Sequence, residues 1–274
     1  MEVSMTGDGA ERKDALDQSA ALLYSAWREE QHIDGLAEGI RPLSRAEGYA
    51  VQASVAGLIG EPTIGWKIAA TSAGGQQHIR VSGPLAGRLF RSRALAEADE
   101  VPMGANAMRV AEAEFAFLIG HDLPPLSAED GLSMEHLLDH VEALHLAIEI
   151  PDSRFACFTE AGEAQLIADF ACARHFVLGK RVAADWRSMD LAGHALRFLV
   201  DDLEVAQGRG EFALGDPRKA LHWIAGELGA IGRGLKKGEV ILTGTCVVPV
   251  PIAPGQRLCA DFGTFGTVQA RTVA

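Results

Sequence analysis

From Val110 to Ile119 the chain alternates between two kinds of position. Ala111, Ala113, Phe115, Phe117 and Ile119 form one set; Val110, Glu112, Glu114, Ala116 and Leu118 form the other. A strand turns successive side chains to opposite faces, so this reads as a β-strand with one wholly apolar face and a second that carries two glutamates. Other segments follow a helical period. Leu16, Ala20, Leu23 and Trp27 predict a helix over 15–28, and Ser44-Arg-Ala-Glu47 has the form of a capping box that opens a second helix through Leu58, stopped by Gly60 and Pro62. Asp216-Pro217 supplies an N-cap and a first-turn proline, followed by Leu221, Ile224, Leu228 and Ile231 on one helical face. The amphipathic stretch Leu132–His145 predicts a further helix, Leu146–Ile150 a short strand before Pro151, and Thr159 the start of another helix. Ile64–Ala70 reads as a short strand and Thr71–Gly87 as a glycine-rich loop containing His78. Four C-terminal strands follow, over 239–243, 246–251, 257–262 and 265–272, punctuated by Gly244, Gly255, Gly263 and Gly266. Helices and strands in mixed order, without regular βαβ alternation, indicate the α+β class.

The chain has 274 residues, near the size at which chains divide. The change of texture places a boundary near residue 90, between a smaller, largely helical region (1–90) and a larger mixed-β domain (91–274) that would hold the catalytic groups. Apolar residues at 48% and charged residues at 23% indicate an ordinary globular protein with a full core. The net charge of −12 repels phosphate backbones and argues against nucleic acid as a partner. It leaves room for a small anionic substrate, because a bound metal reverses the local potential. No apolar run approaches the roughly 20 residues of a bilayer span, and the last long one is broken by Pro249, Pro251 and Pro254. The N-terminus is polar with no apolar targeting segment, so a cytoplasmic protein is expected. The four cysteines show no CxxC spacing and read as reduced, small buried residues. Neither a phosphate-binding glycine loop nor a GxSxG elbow is present.

Candidate chemistry centres on the carboxylates. Glu112 and Glu114 share a strand face that is otherwise apolar, and a second apolar run ends in Glu149-Ile-Pro-Asp152-Ser-Arg154. If that face is covered, adjacent carboxylates repel and lose hydration, a cost that a divalent cation offsets. If it is open, the pair lines a solvated edge. Three carboxylates with no thiolate suit a hard, octahedral ion such as Mg²⁺ or Mn²⁺ rather than zinc.

Taken in order, Gly65-Trp66-Lys67-Ile68, Glu112-Ala-Glu114, Glu149-Ile-Pro-Asp-Ser-Arg154, Leu242-Thr-Gly-Thr245 and the Pro254-Gly255 and Phe262-Gly-Thr-Phe-Gly266 turns resemble the fumarylacetoacetate hydrolase superfamily. Within it they are most similar to the branch of 2-hydroxypenta-2,4-dienoate hydratases and 2-oxo-3-hexenedioate decarboxylases, over most of the chain from Tyr49 onward. The resemblance implies a mixed β-roll with flanking helices, a homo-oligomer, and a Mg²⁺ or Mn²⁺ ion held by Glu112, Glu114 and Glu149. It also implies an active-site lysine at Lys67 and a substrate contact at Thr245. Three departures stand out: Gly83-Pro-Leu85-Ala-Gly87 has Leu85 where the family carries an aspartate for proton transfer, Ser82 replaces another frequent acid, and Ala168-Asp-Phe-Ala171 stands in place of A-D-N-A.

Such a platform would take a small 2-oxo acid and stabilise an enolate. Hydration of a 2-hydroxydienoate to a 4-hydroxy-2-oxo acid is the leading reading. Decarboxylation of 2-oxo-3-hexenedioate, C–C hydrolysis of an acylpyruvate and a non-catalytic binding subunit are the alternatives. Lys67 would act as an acid/base if burial lowers its pKa, or as a plain cation that anchors a carboxylate. With the aspartate replaced, His78 is the candidate proton carrier, its alternative being a surface loop histidine. His145 is either packed in the core or supports a ligand. Arg154 and Asp152 either orient the substrate carboxylate or form a structural ion pair.

Overall fold

The computed structural model describes residues 6–97, 99–126 and 131–274; the first five residues of the polar N-terminal segment lie outside it. Two β-sheets form its centre. The larger has eight strands in the order β2-β1-β10-β5-β6-β7-β3, with β11 added against β5. Its members are β1 (Thr63–Ala69), β2 (Leu85–Phe90), β3 (Ala94–Leu95), β5 (Val110–Ile119), β6 (Val141–Ile150), β7 (His175–Arg181), β10 (Val240–Thr245) and β11 (Val250–Pro251). The smaller sheet runs β4-β13-β12-β8-β9, from β4 (Glu100–Pro102), β13 (Thr267–Val273), β12 (Arg257–Asp261), β8 (Ala195–Val200) and β9 (Leu203–Arg209). Parallel and antiparallel pairs mix in both, as β1 pairs parallel with β10 and antiparallel with β2. β1 and β2, from the segment before residue 90, thus share a sheet with β5 and β10.

The two faces of the larger sheet have different covers. On one, Phe115 of β5 meets Phe262 and Phe265 beside the smaller sheet, with ring centroids 5.0 and 6.1 Å apart, and Phe117 packs on Trp186. Every member of the apolar set of β5 is buried there. On the other face, α1 (Thr6–Glu29) and α2 (Arg45–Ile59) place Leu23, Val51 and Val55 in one cluster with Phe90, Ala116, Ala147 and Phe170. The Ser44 hydroxyl caps α2 by accepting from the Glu47 N–H. The Glu47 carboxylate turns to the Leu43 N–H and to Arg12 instead of closing the box on Ser44. Five further helices complete the order: α3 (Ala73–Ile79), α4 (Met134–Asp139), α5 (Phe158–Ala161), α6 (Glu163–Ala168) and α7 (Pro217–Ala230), the last capped by Asp216.

Several expectations from periodicity change. The helix expected over 132–145 stops at Asp139, and β6 runs ten residues from Val141. This strand lies mid-sheet between β5 and β7, buried on both faces, so it shows no alternation and its apolar spacing imitates a helix. The loop expected over 71–87 contains α3, because Ser72 accepts from the Gly75 N–H and caps a helix despite its glycines. β8 and β9, with no counterpart in the periodicity reading, form a hairpin whose turn residues Asp201 and Asp202 both have positive φ. Cys157 is exposed and Cys259 half-buried, so only Cys172 and Cys246 fit the buried reading. No helix among the described residues is long and apolar enough to cross a membrane.

Candidate metal centre

Register assembles the acidic site. In the antiparallel β5–β6 pair Glu112 stands directly opposite Glu149, and Glu114 follows two places along the same face. Like charges directly opposite across a ladder are destabilising, yet Glu114 is 0% and Glu149 1% exposed. Glu114 and Glu149 therefore do not line a solvated edge, while Glu112 is half-buried. One carboxylate oxygen from each of the three lies within 4.8 Å of the others.

Hydrogen bonding leaves this cluster open. Glu114 Oε2 accepts from the Gly244 N–H at 2.7 Å, whereas Glu114 Oε1 and Glu149 Oε2 are buried without a hydrogen-bond donor and Glu149 Oε1 has only the charge of the Lys67 ammonium beside it. Buried carboxylate oxygens are ordinarily satisfied. Three hard oxygen donors facing a common point, two of them with orphaned atoms, fit a divalent metal ion. The electrostatics agree. Burial, with the Glu149 charge beside it, pushes Glu112 up to about 7 although its side chain still touches the cavity. Burial and both neighbouring carboxylates push Glu114 well above the usual carboxylate range.

Lys67, on β1 opposite Gly87 of β2, brings an ammonium to this cluster. Its Nζ lies 3.1 Å from Glu149 Oε1 and donates to the Ala171 carbonyl at 3.1 Å. Burial alone would lower its pKa, but Glu149, Glu112 and Glu114 outweigh burial and hold it above the ordinary lysine value. Of the two sequence readings of Lys67, the plain cation fits this setting. The Ala171 carbonyl is presented by an unusual turn: Phe170, Ala171 and Cys172 have φ of 53°, 50° and 62° in succession. Gly87 makes room for it, since a Cβ there would lie 1.8 Å from the Phe170 carbonyl oxygen. Gly244 is likewise required, at φ 96° with Thr71 filling the place of a Cβ. No simple sequence signal announces the left-handed turn, because neither Phe nor Ala favours that conformation.

A cavity of about 890 Å³ opens from Lys67 and Glu112 to the surface. Thr245 and His78 line it. The Thr245 hydroxyl donates to the Val247 carbonyl at 2.7 Å, and His78 sits on α3 with its ring edge toward Phe158, 6.0 Å between centroids. Thr71, Cys172 and Glu211, none of them singled out from the sequence, also line it. Burial pushes the Cys172 thiol up to about 12.

Arg154 is placed elsewhere, a correction to its expected contact with substrate. Its guanidinium pairs with Asp169 and donates to the carbonyls of Asp169 (2.7 Å) and Ala173 (3.0 Å), so it ties together the segment that precedes β7. Asp152 is equally committed, to the Ala107 N–H at 2.9 Å and to Arg174 at 2.9 Å. The structural ion-pair alternative is the one observed for both. Leu85 is fully buried and does not line the cavity, and His145 Nδ1 is occupied by the Gly179 carbonyl at 2.9 Å.

The chain as a whole is similar to known proteins. The family described as fumarylacetoacetate hydrolase, C-terminal, matches residues 53–273. 2-Keto-4-pentenoate hydratase 2 of Dechloromonas aromatica is 30% identical over 259 residues, covering 93% of this chain and 97% of its own. The 2-hydroxyhexa-2,4-dienoate hydratase of Comamonas testosteroni is 30% identical over 260 residues, with 93% and 96% covered. Among solved structures, 4-oxalocrotonate decarboxylase from Pseudomonas putida G7, complexed with magnesium and adipate, superposes with a TM-score of 0.85 at 22% identity, over 95% of this chain and 98% of that one. The match along nearly the whole sequence, together with the shared fold, establishes that the chain belongs to the fumarylacetoacetate hydrolase family.

Proposed function

We propose that the protein is a Mg²⁺- or Mn²⁺-dependent hydratase that converts a 2-hydroxy-2,4-dienoate, by way of its 2-oxo-3-enoate tautomer, into a 4-hydroxy-2-oxo acid. The observation that carries this reading is the convergence of Glu112, Glu114 and Glu149 beside Lys67 at the closed end of a largely apolar cavity. The hydratase names of its relatives at 30% identity support it.

Glu112, Glu114 and Glu149 would hold the ion, which supplies a Lewis acid toward a 2-oxo carboxylate and stabilises negative charge on its oxygens. Lys67 stays cationic among these carboxylates and attracts the carboxylate of the substrate. The apolar walls limit bulk water, which strengthens each charge interaction at the floor. Thr245, already bonded to the Val247 carbonyl, keeps its oxygen on the cavity wall. Hydration needs a proton at the distal carbon of the dienol, then water at C4 with a proton at C3. His78, which lines the same cavity from the exposed helix α3, is assigned the distal proton.

The test is incubation of the purified, metal-loaded protein with 2-hydroxypenta-2,4-dienoate, following loss of the dienol absorbance and identifying the 4-hydroxy-2-oxo product by NMR. Lys67→Met removes the cation that attracts the substrate carboxylate and is expected to raise KM by about tenfold or more. Metal binding without consumption of dienoate defeats the proposal. Release of CO₂ from 2-oxo-3-hexenedioate in its place would establish a decarboxylase.

A further inference from the structure

The same cavity indicates which kind of 2-oxo-enoate it takes, an inference that rests on the hydratase reading. Two properties matter, its size and the position of its charges. At about 890 Å³ it falls in the range of drug-sized ligands, roughly 300–1,000 Å³, far more than a five-carbon acid occupies. Among the described residues lining it, the basic side chains are Lys67 and His78 alone. Lys67 is committed at the floor, and no guanidinium reaches the walls. Glu211 also lines the cavity and adds a negative charge, which disfavours a second substrate carboxylate.

Between floor and mouth the wall is apolar, with Ile79, Phe158, Phe212, Val247 and Val248 contributing. Phe212 and Val248 remain 40% and 72% exposed. Large apolar side chains left open at the mouth of a deep cavity gain from being covered by an apolar ligand group, at roughly 25 cal/mol per Å² removed from water.

We infer that the substrate is a monocarboxylate whose carbon chain ends, away from the 2-oxo acid, in a bulky uncharged apolar substituent such as an aryl or branched alkyl group. Neither a short unsubstituted dienoate nor a dicarboxylate matches the cavity as well. Recognition divides between the charged floor, common to all 2-oxo acids, and the apolar wall, which selects among them.

Calorimetric titration of the Mg²⁺-loaded protein with unreactive 2-oxo acids reads this directly, whether or not any dienoate is turned over. The series is 2-oxobutanoate, 2-oxoadipate and 5-phenyl-2-oxopentanoate. The phenyl compound is expected to bind at least about tenfold more tightly than 2-oxobutanoate, with 2-oxoadipate no tighter than 2-oxobutanoate. Phe212→Ala should shrink the phenyl preference, while a variant at exposed Leu22 on α1, which does not line the cavity, retains it. Equal affinities across the series, or tightest binding of 2-oxoadipate, would overturn the inference and leave the hydratase reading intact. Turnover of 2-hydroxypenta-2,4-dienoate with a higher kcat/KM than its distal phenyl derivative would do the same. Phenyl-selective binding with no dienoate consumed would instead uphold the inference about the ligand and defeat the hydratase.

Discussion

The acidic cluster makes a thermodynamic prediction that needs no substrate. A ligand that binds the folded state alone stabilises it by RT ln(1 + [L]/Kd), about 2.7 kcal/mol at a hundredfold excess over Kd. For 274 residues at about 2.1 cal/mol/K each, the unfolding entropy near 60 °C is about 0.6 kcal/mol/K. Mg²⁺ at that excess therefore raises Tm by about 5 °C, and each further tenfold increase adds about 2 °C. The informative variant is Glu114→Gln. Glutamine keeps the volume of the buried side chain and an oxygen that accepts the Gly244 N–H, so the metal-free variant should melt close to the wild type. It lacks the charge that completes the trio, so its Tm should be flat against metal concentration. Differential scanning calorimetry from micromolar to millimolar MgCl₂, with ionic strength held constant by NaCl, separates site binding from general screening. A wild type with no slope, or a variant with the wild-type slope, would refute the assignment of these carboxylates as one cation site.

Other consequences follow from the same structure. Gly244→Ala puts a Cβ 2.4 Å from Thr71 at φ 96°, so it should cost about 1–3 kcal/mol in urea denaturation and also weaken metal binding by displacing the N–H held by Glu114. Arg154→Met leaves Asp169 buried and uncompensated, a loss of about 3–5 kcal/mol, and adding Asp169→Asn should recover part of it. His175 is depressed to about 4 by burial and by Arg93 and Arg174, with Glu30 opposing them. A histidine held neutral in the folded state contributes stability above pH 6.5 that is lost as pH falls through about 4, up to about 3 kcal/mol. Denaturation midpoints of His175→Gln should therefore decline less between pH 7 and 4 than those of the wild type; parallel declines would contradict this.

The legible parts of the sequence were those where one physical constraint dominates. β5 sits between a packed interior on one face and the acidic site on the other, so its alternation showed both the strand and the shared face of Glu112 and Glu114. α7 carries its own boundary in Asp216 and Pro217. β6 concealed itself because two covered faces erase the alternation. Arg154 was misread for a related reason: its position beside the Glu149 motif gives no indication that Asp169, fifteen residues on, absorbs the guanidinium.

What the sequence determined by itself is an inventory: an alternating strand with two glutamates, an isolated third, a lysine in an apolar run and a set of turns whose order resembles one family. Only the tertiary structure decided that Glu112 faces Glu149 across a ladder, that Lys67 meets them from a strand on the far side of β10, and that the left-handed turn at 170–172 delivers a carbonyl to that lysine. The physical reason is that side-chain alternation is local, set by the backbone of a single strand, whereas register and strand order depend on which distant surfaces bury one another.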